Sequence, residues 1–264
     1  MSGQHQDAAT DEHRVRSADG TMIALQRGGA GPPVVMVDPA GGYRDFDNIR
    51  GLGALLAEHF TVHTYDRRGR GNSTDTQPYA IQREVDDLEA VIDAAGGAAM
   101  VYGLSSGALL AVHAAASGLP IRKLALFEPP IDPDGQPGDD LSSRVAERVD
   151  AGERGEAVDL FLGSIGVPDE VIAGMGPVKP ALERVAHTLV YDCTIAESTP
   201  LELLGEVTVP ALVMDSEASS DDLTGGAAAV AEALPLGAHR RLPGEWHGVA
   251  DEELAPVLME FFRA

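Results

Sequence analysis

The sequence predicts an α/β fold built on a mostly parallel sheet, and three observations carry that expectation. Short apolar runs alternate with helical periods as far as residue 130, the rhythm of parallel strands joined by right-handed crossovers. The rhythm stops over 131–200, where only helical periods are visible, and resumes from 201 to the end. Between one strand-like run and one helical run stands Gly103-Leu104-Ser105-Ser106-Gly107, a Gly-x-Ser-x-Gly turn. The expected organisation is a disordered tail over 1–12, a core assembled from 13–130 and 201–264, and a helical insertion over 131–200.

The polar stretch Met1 to His13 carries no apolar segment. It is therefore expected to be a frayed tail rather than a secretory signal, and the protein to be cytoplasmic. His13–Ala18 and Thr21–Gln26 flank Asp19-Gly20, a hairpin signal. Val34–Val37 is fully apolar, as expected of a strand covered on both faces, and Asp38–Gly42 is a loop. Leu52–Ala57 is helical in period, Thr61–Tyr65 is a strand, and Asp66–Ser73 is a tight charged loop. In Gln82–Ala95, Val85, Leu88, Val91 and Ile92 share one helical face, which Gly96-Gly97 ends. Ala98–Tyr102 is the strand before the turn, Ala108–Ala116 the helix after it, and Lys123–Phe127 the next strand, stopped by Glu128-Pro129-Pro130.

In the insertion Leu141, Val145 and Val149 share a face, and Leu182, Val185, Ala186, Leu189 and Val190 share another. Gly166-Val167-Pro168 and Gly174-Met175-Gly176-Pro177 punctuate it. Val209–Met214 is a strand, Leu223–Leu234 a helix and Arg240–Leu242 a short strand. The last helix carries Leu254, Val257, Leu258, Phe261 and Phe262 on one stripe.

Composition bounds the partners. The 264 residues suffice for one domain with a sizeable core, and hydrophobic residues make up 44%, ordinary for a globular chain. No apolar run approaches the ~20 residues that span a bilayer. With 42 acidic and 19 basic residues, the net charge of −23 disfavours nucleic acid and anionic membrane surfaces. The single Cys193 excludes an internal disulfide and offers no metal pattern. The expected partner is a small-molecule substrate; the oligomeric state stays open, a homodimer included.

A strand–turn–helix setting gives the Gly-x-Ser-x-Gly turn its meaning. The bend holds its middle residue, Ser105, clear of the sheet in a strained conformation, and the backbone N–H of Ser106 faces the reacting carbonyl oxygen as one oxyanion donor. A serine hydroxyl needs a base within hydrogen-bond reach, and the base needs an orienting group. Of the eight histidines, His5 and His13 belong to or border the tail, and His59 and His63 flank a strand start. His113 lies behind the turn, His187 in the insertion, and His239 before the last strand. His247 follows that strand, at the carboxyl edge of the sheet where open parallel sheets carry their sites. It is the expected base.

These features together resemble the α/β-hydrolase superfamily: the turn at Gly103–Gly107, the loop Asp66–Ser73 of the form Asp-x-Arg-Gly-x-Gly-x-Ser, the late Trp246-His247-Gly248 and the helical insertion. The resemblance covers nearly the whole chain after the tail. It implies an eight-stranded, mostly parallel sheet flanked by helices, with 131–200 as an inserted cap. It also implies a second oxyanion donor in the loop after the third strand, which falls on the N–H of Ala40 with Gly41 in reserve, because Pro39 has no N–H. Many relatives have His-Gly here, where this chain has Asp38-Pro39. Asp38 is expected to point away or to accept local hydrogen bonds.

The orienting acid also departs from the usual pattern. The customary position after the seventh strand falls on Ser219, among Asp215, Glu217, Asp221 and Asp222. A second location in the superfamily, the end of the sixth strand, falls on Glu128. Glu128 is favoured, with Asp221 or Asp215 as the alternative. Zearalenone-lactonase-like enzymes are similar in size, in Ser-Ser at the turn and in a glutamate after strand six.

Serine at the turn excludes the alkyl-ester chemistry of epoxide hydrolases and haloalkane dehalogenases, which need aspartate there. The expectation is hydrolysis of a carboxylic ester or lactone of a moderately sized apolar substrate, without metal or organic cofactor. Gly41, Met175, Val178, Leu182, Leu189, Tyr191 and Trp246 are expected to line the substrate pocket. The alternatives are other chemistry on the same residues (thioester or C–C hydrolysis, perhydrolysis, a non-hydrolytic cyclase or lyase) and a ligand-binding protein with a vestigial triad.

Overall fold

Eight strands form one twisted sheet in the spatial order β1-β2-β4-β3-β5-β6-β7-β8. In chain order they are β1 (Asp11–Arg16), β2 (Met22–Gly28), β3 (Pro33–Val37), β4 (Thr61–Tyr65), β5 (Ala99–Leu104), β6 (Ile121–Phe127), β7 (Ala211–Ser216) and β8 (Gly237–Leu242). The computed structural model describes residues 11–46, 49–131, 140–167, 169–176 and 178–264. Residues 1–10 of the expected tail lie outside the described residues, as do Pro168 and Pro177. β1 pairs β2 and β2 pairs β4 antiparallel; every other pairing is parallel.

Alternate side chains of the buried strands point to opposite faces. Val35, Val37, Val101, Leu124, Leu126 and Val213 meet α2 (Ile81–Ala94), α3 (Ser106–Ala116) and α9 (Asp221–Ala233) on one side. Val34, Met36, Val62, Met100, Ala125, Phe127 and Met214 meet α1 (Arg50–Leu56) and α10 (Asp251–Arg263) on the other. Each fully buried large apolar side chain contributes about 1.5–3 kcal/mol. Two apolar layers on one sheet therefore explain why these strands read as continuous apolar runs. α3 is buried nearly all round, as a helix wedged between sheet and inserted helices must be.

Between β6 and β7 lie α4 (Leu141–Asp150), α5 (Arg154–Ser164), α6 (Asp169–Gly174), α7 (Val178–Arg184), a 3₁₀ turn (Ala186–Thr188) and α8 (Leu189–Glu197). They share their own apolar cluster, which includes Val145, Val158, Phe161, Leu182 and Leu189. A second 3₁₀ segment, Leu201–Glu206, leads into β7. No helix among the described residues is long and apolar enough to cross a membrane.

Several elements differ from the sequence expectation. β1 starts at Asp11, inside the segment expected to be tail, because residues 11 and 12 pair with Arg27 and Gln26. The hairpin closes through a five-residue turn, with Ser17 and Thr21 bonded across it and the Asp19 carboxylate accepting the Thr21 N–H at 2.9 Å. β8 extends three residues further toward its amino end than its pattern suggests. It is an edge strand with five exposed residues, so no apolar signal marks it. The face from Leu182 to Val190 belongs to two helices: the 3₁₀ turn interrupts it, held by the Thr188 hydroxyl donating to the Val185 carbonyl at 2.8 Å.

Candidate active site

The turn after β5 is built by two contacts that only glycine permits. A Cβ on Gly103 would lie 2.5 Å from the carbonyl oxygen of Gly107, and one on Gly107 would lie 2.5 Å from the carbonyl oxygens of both Val37 and Asp38. Between them Ser105 takes φ 55° and ψ −123°, outside the regions open to ordinary L-residues. Its N–H is tied to the Phe127 carbonyl at 2.9 Å, and its carbonyl accepts the Ala108 N–H at 2.9 Å. Ser106 opens α3, so its N–H has no partner within the helix.

Glu128 follows β6 with φ 44° and is fully buried. Burial works to raise its pKa. Hydrogen bonds from His247, the Ser219 hydroxyl and the Ser216 N–H outweigh burial and hold it below the ordinary carboxylate range. The Ser216 N–H donates to Oε1 at 2.7 Å, and the Ser219 hydroxyl donates to the same oxygen at 2.6 Å. The other oxygen, Oε2, lies 2.5 Å from His247 Nδ1. A carboxylate only accepts, so Nδ1 carries the hydrogen, and neutral imidazole keeps its lone pair on Nε2.

His247 sits in a tight turn closed by reciprocal bonds between Glu245 and Gly248. Its φ is 53°, and its N–H donates to the Ser219 hydroxyl at 2.9 Å. Ser219 thus holds glutamate and histidine loop together from the position where the superfamily customarily has its acid. The two other candidate acids are occupied elsewhere or exposed. Buried Asp215 binds Arg241 at 2.7 Å and His239 at 3.1 Å, and Asp221 is an exposed residue at the start of α9.

Ser105, Ser106, Ala40 and His247 all border one cavity of about 280 Å³. Its wall is apolar, with Leu141, Val158, Phe161, Leu182 and Leu189 from the inserted helices and Trp246 beside the histidine. Met175 and Val178 also border it, as the sequence suggested. Two expected lining residues do not. Gly41 packs behind the wall, where a Cβ would lie 2.7 Å from Leu182 and 3.6 Å from Leu189. Tyr191 faces away: its ring stacks on Tyr79 at 3.9 Å, and its hydroxyl donates to Asp75 at 2.7 Å. On α8 the lining residues Leu189, Asp192, Cys193 and Ala196 recur at helical spacing, and Tyr191 falls off that stripe. Cys193 is buried, and burial pushes its thiol pKa up.

Asp38 is fully buried, and neither carboxylate oxygen has a hydrogen-bond partner, so the expected local hydrogen bonds are not made. Burial, against the pull of Arg70, Arg67 and Arg44, pushes its pKa up to about 7.

Sequence reasoning missed Asp192 and the arginines Arg67 and Arg70 that bind it at 2.7 and 2.6 Å. The available signals were an isolated aspartate in the apolar stretch Leu189–Ile195 and three arginines within the loop 66–70.

A strained serine between a parallel strand and a buried helix, with a carboxylate-bound histidine at the same sheet edge, defines an α/β hydrolase. The chain belongs to the α/β hydrolase family, whose model matches residues 28–257. An α/β hydrolase from Sphaerobacter thermophilus is 46% identical, with a TM-score of 0.88 over 95% of this chain and 100% of that one. The enol-lactonase from Burkholderia xenovorans is 19% identical, with a TM-score of 0.77 over 95% of this chain and 100% of that one, a likeness of fold alone. An uncharacterized hydrolase, YraK, from Bacillus subtilis is 34% identical over 95 residues, and the match spans 34% of each chain, about a third of its length.

Proposed function

We propose that the protein is a serine hydrolase that cleaves a carboxylic ester or lactone of a neutral, apolar, moderately sized substrate through an acyl-enzyme. The observation that carries it is the pairing of Glu128 with His247, which borders the same cavity as Ser105. His247 Nε2 takes the Ser105 proton as the hydroxyl oxygen attacks the acyl carbon. The carbonyl becomes a tetrahedral oxyanion facing the N–H groups of Ala40 and Ser106, each worth about 10²–10³ in rate. The imidazolium, steadied by Glu128, protonates the departing alkoxide; in a lactone that alkoxide stays attached to the acyl group. Water, deprotonated by His247, then attacks the acyl carbon, and the imidazolium returns that proton to the Ser105 oxygen as the acid is released.

The inserted helices over 131–200 act as a cap that sets specificity. They supply most of the cavity wall, and the three exposed lining residues Ile165, Val178 and Trp246 make an apolar rim. Among the described residues no lysine or arginine lines the cavity, and its one carboxylate, Asp192, is already neutralised by Arg67 and Arg70. A substrate carboxylate would therefore lose its hydration without gaining a partner, which favours uncharged acyl groups.

The test is hydrolysis of p-nitrophenyl esters from acetate to octanoate, neutral lactones and a half-ester of a dicarboxylic acid, together with labelling by a fluorophosphonate. Neutral medium-length esters or lactones should turn over fastest, the half-ester slowest, and mass spectrometry should find the phosphonyl group on Ser105. Turnover retained by a folded Ser105→Ala variant would sink the acyl-enzyme, and a preferred half-ester would sink the neutral-substrate assignment.

A further inference from the structure

The loop that presents Ala40 is fastened by two buried guanidinium groups. Arg70 Nη1 donates to the carbonyls of Pro39 at 2.8 Å and Gly42 at 3.2 Å, and Arg67 Nη1 donates to the carbonyl of Asp38 at 3.3 Å. Both arginines converge on one carboxylate of α8. Asp192 Oδ1 accepts from Arg67 at 2.7 Å and from the Ser106 hydroxyl at 2.8 Å, and Oδ2 accepts from Arg70 at 2.6 Å. The far edge of Arg67 is clamped by Glu84 at 2.7 and 2.8 Å, and Arg70 Nε reaches Thr188 at 3.1 Å. Every side chain of the network is buried.

The geometry has a consequence for the oxyanion donors. The Pro39 carbonyl and the Ala40 N–H belong to one planar trans peptide and point in opposite directions. Holding the Pro39 oxygen on Arg70 therefore turns the Ala40 N–H away from the arginines, and Ala40 borders the cavity beside Ser105. The second donor, the Ser106 N–H, belongs to the residue whose hydroxyl is held by the same Asp192. A buried ion network is a weak stability device, since apolar side chains of similar volume often serve as well. A charge cluster in the wall of an otherwise apolar cavity thus points to a geometric task.

We propose that Asp192 is a positioning residue: through Arg70, Arg67 and Ser106 it fixes both oxyanion donors at once, so that the hole is complete only while α8 is docked. This rests on the acyl-enzyme reading. The helices that choose the substrate would then also switch on the rate.

The experiment compares wild type with Asp192→Asn, Arg70→Lys and Ser106→Ala, each checked for folding by circular dichroism. Three quantities are measured: kcat and KM on p-nitrophenyl butyrate, inhibition by butylboronic acid, which forms a tetrahedral adduct on serine, and inhibition by the non-reacting N-butylbutyramide. Asp192→Asn should lower kcat and weaken the boronic acid in parallel by about 10- to 100-fold, less than outright loss of a donor. KM and the amide should move less than about two-fold, because uniform binding is untouched. A folded Asp192→Asn with unchanged kcat, or with boronic acid and amide weakened equally, overturns the proposal. If that variant does not fold, Arg70→Lys (charge kept, fork lost) and Ser106→Ala carry the test: the same split supports the proposal and unchanged kcat in both overturns it. Wild type that neither hydrolyses the ester nor accepts a fluorophosphonate on Ser105 refutes the acyl-enzyme itself. That outcome is distinct from an active wild type whose variants keep kcat.

Discussion

Replacing Asp38 by asparagine should stabilise the protein, and increasingly so as pH rises. The side chain is fully buried at the end of β3, and both oxygens lack partners. Asparagine keeps the shape and removes the ionisation. The folded protein holds the Asp38 proton up to about pH 7, whereas the unfolded chain releases it near the ordinary 3.8. Between those values the folded state binds more protons, so the wild type loses stability as pH rises and the deficit is constant above about 7. At about 1.36 kcal/mol per pH unit the full deficit is about 4 kcal/mol. Asp38→Asn should therefore be more stable than wild type by about 4 kcal/mol at pH 8 and by about 2 kcal/mol at pH 5, with the gap closing toward pH 3. Urea unfolding followed by circular dichroism across that range measures the gap directly, provided the m-value is unchanged. Equal stabilities at pH 8, or a gap that ignores pH, would mean that Asp38 has charged partners or water and is not held as a neutral acid.

Four further outcomes follow from the site. Ser105→Gly should abolish ester hydrolysis while raising stability by about 1 kcal/mol, because glycine accepts φ 55° without strain; a variant less stable than wild type by thermal melting would contradict the strain. Glu128→Gln should cut kcat by about 10³–10⁴ while Asp221→Asn changes it less than about three-fold, and the reverse order would reassign the acid. The stability that Glu128 contributes is present above the ordinary value of 4.5 and is lost as pH falls through its lower folded value, so Glu128→Gln and wild type should converge in acid. Ser219→Asp in a Glu128→Ala background should recover about 10-fold of the lost turnover by putting a carboxylate beside the His247 loop; no recovery with the fold intact would mean that position 219 cannot reach the imidazole.

The core strands and the serine turn were legible because their causes are local. A strand buried on both faces must be apolar throughout, and the turn needs small residues where Gly103 and Gly107 abut neighbouring backbone. The edge strand β8 was short-read because five of its six residues face solvent. Tyr191 was placed in the pocket although it falls off the stripe Leu189, Asp192, Cys193 and Ala196, because its stacking on Tyr79 and its bond to Asp75 join residues more than 110 apart, which no local pattern encodes. The pairing of Asp192 was not legible for the same reason: its partners Arg67 and Arg70 stand 125 and 122 residues away.

Strain and anchoring coincide at the sheet edge. Among the described residues four non-glycines have positive φ, and Ser105, Glu128 and His247 are three of them. Each such conformation costs about 1–3 kcal/mol and persists only where its surroundings over-determine it. Here each strained residue is held through its own N–H by a neighbour along the edge: Ser105 by the Phe127 carbonyl, Glu128 by the Met214 carbonyl, His247 by the Ser219 hydroxyl in the loop after β7. The ties run from β5 to β6 to β7 and onto the loop beyond it, so the hydroxyl, carboxylate and imidazole inherit the rigidity of hydrogen-bonded parallel strands. The inserted helices make none of these three ties. Their side chains are free to reshape the cavity without disturbing the reacting groups, except through Asp192, which among the described residues is where a helix of the insertion hydrogen-bonds the turn itself.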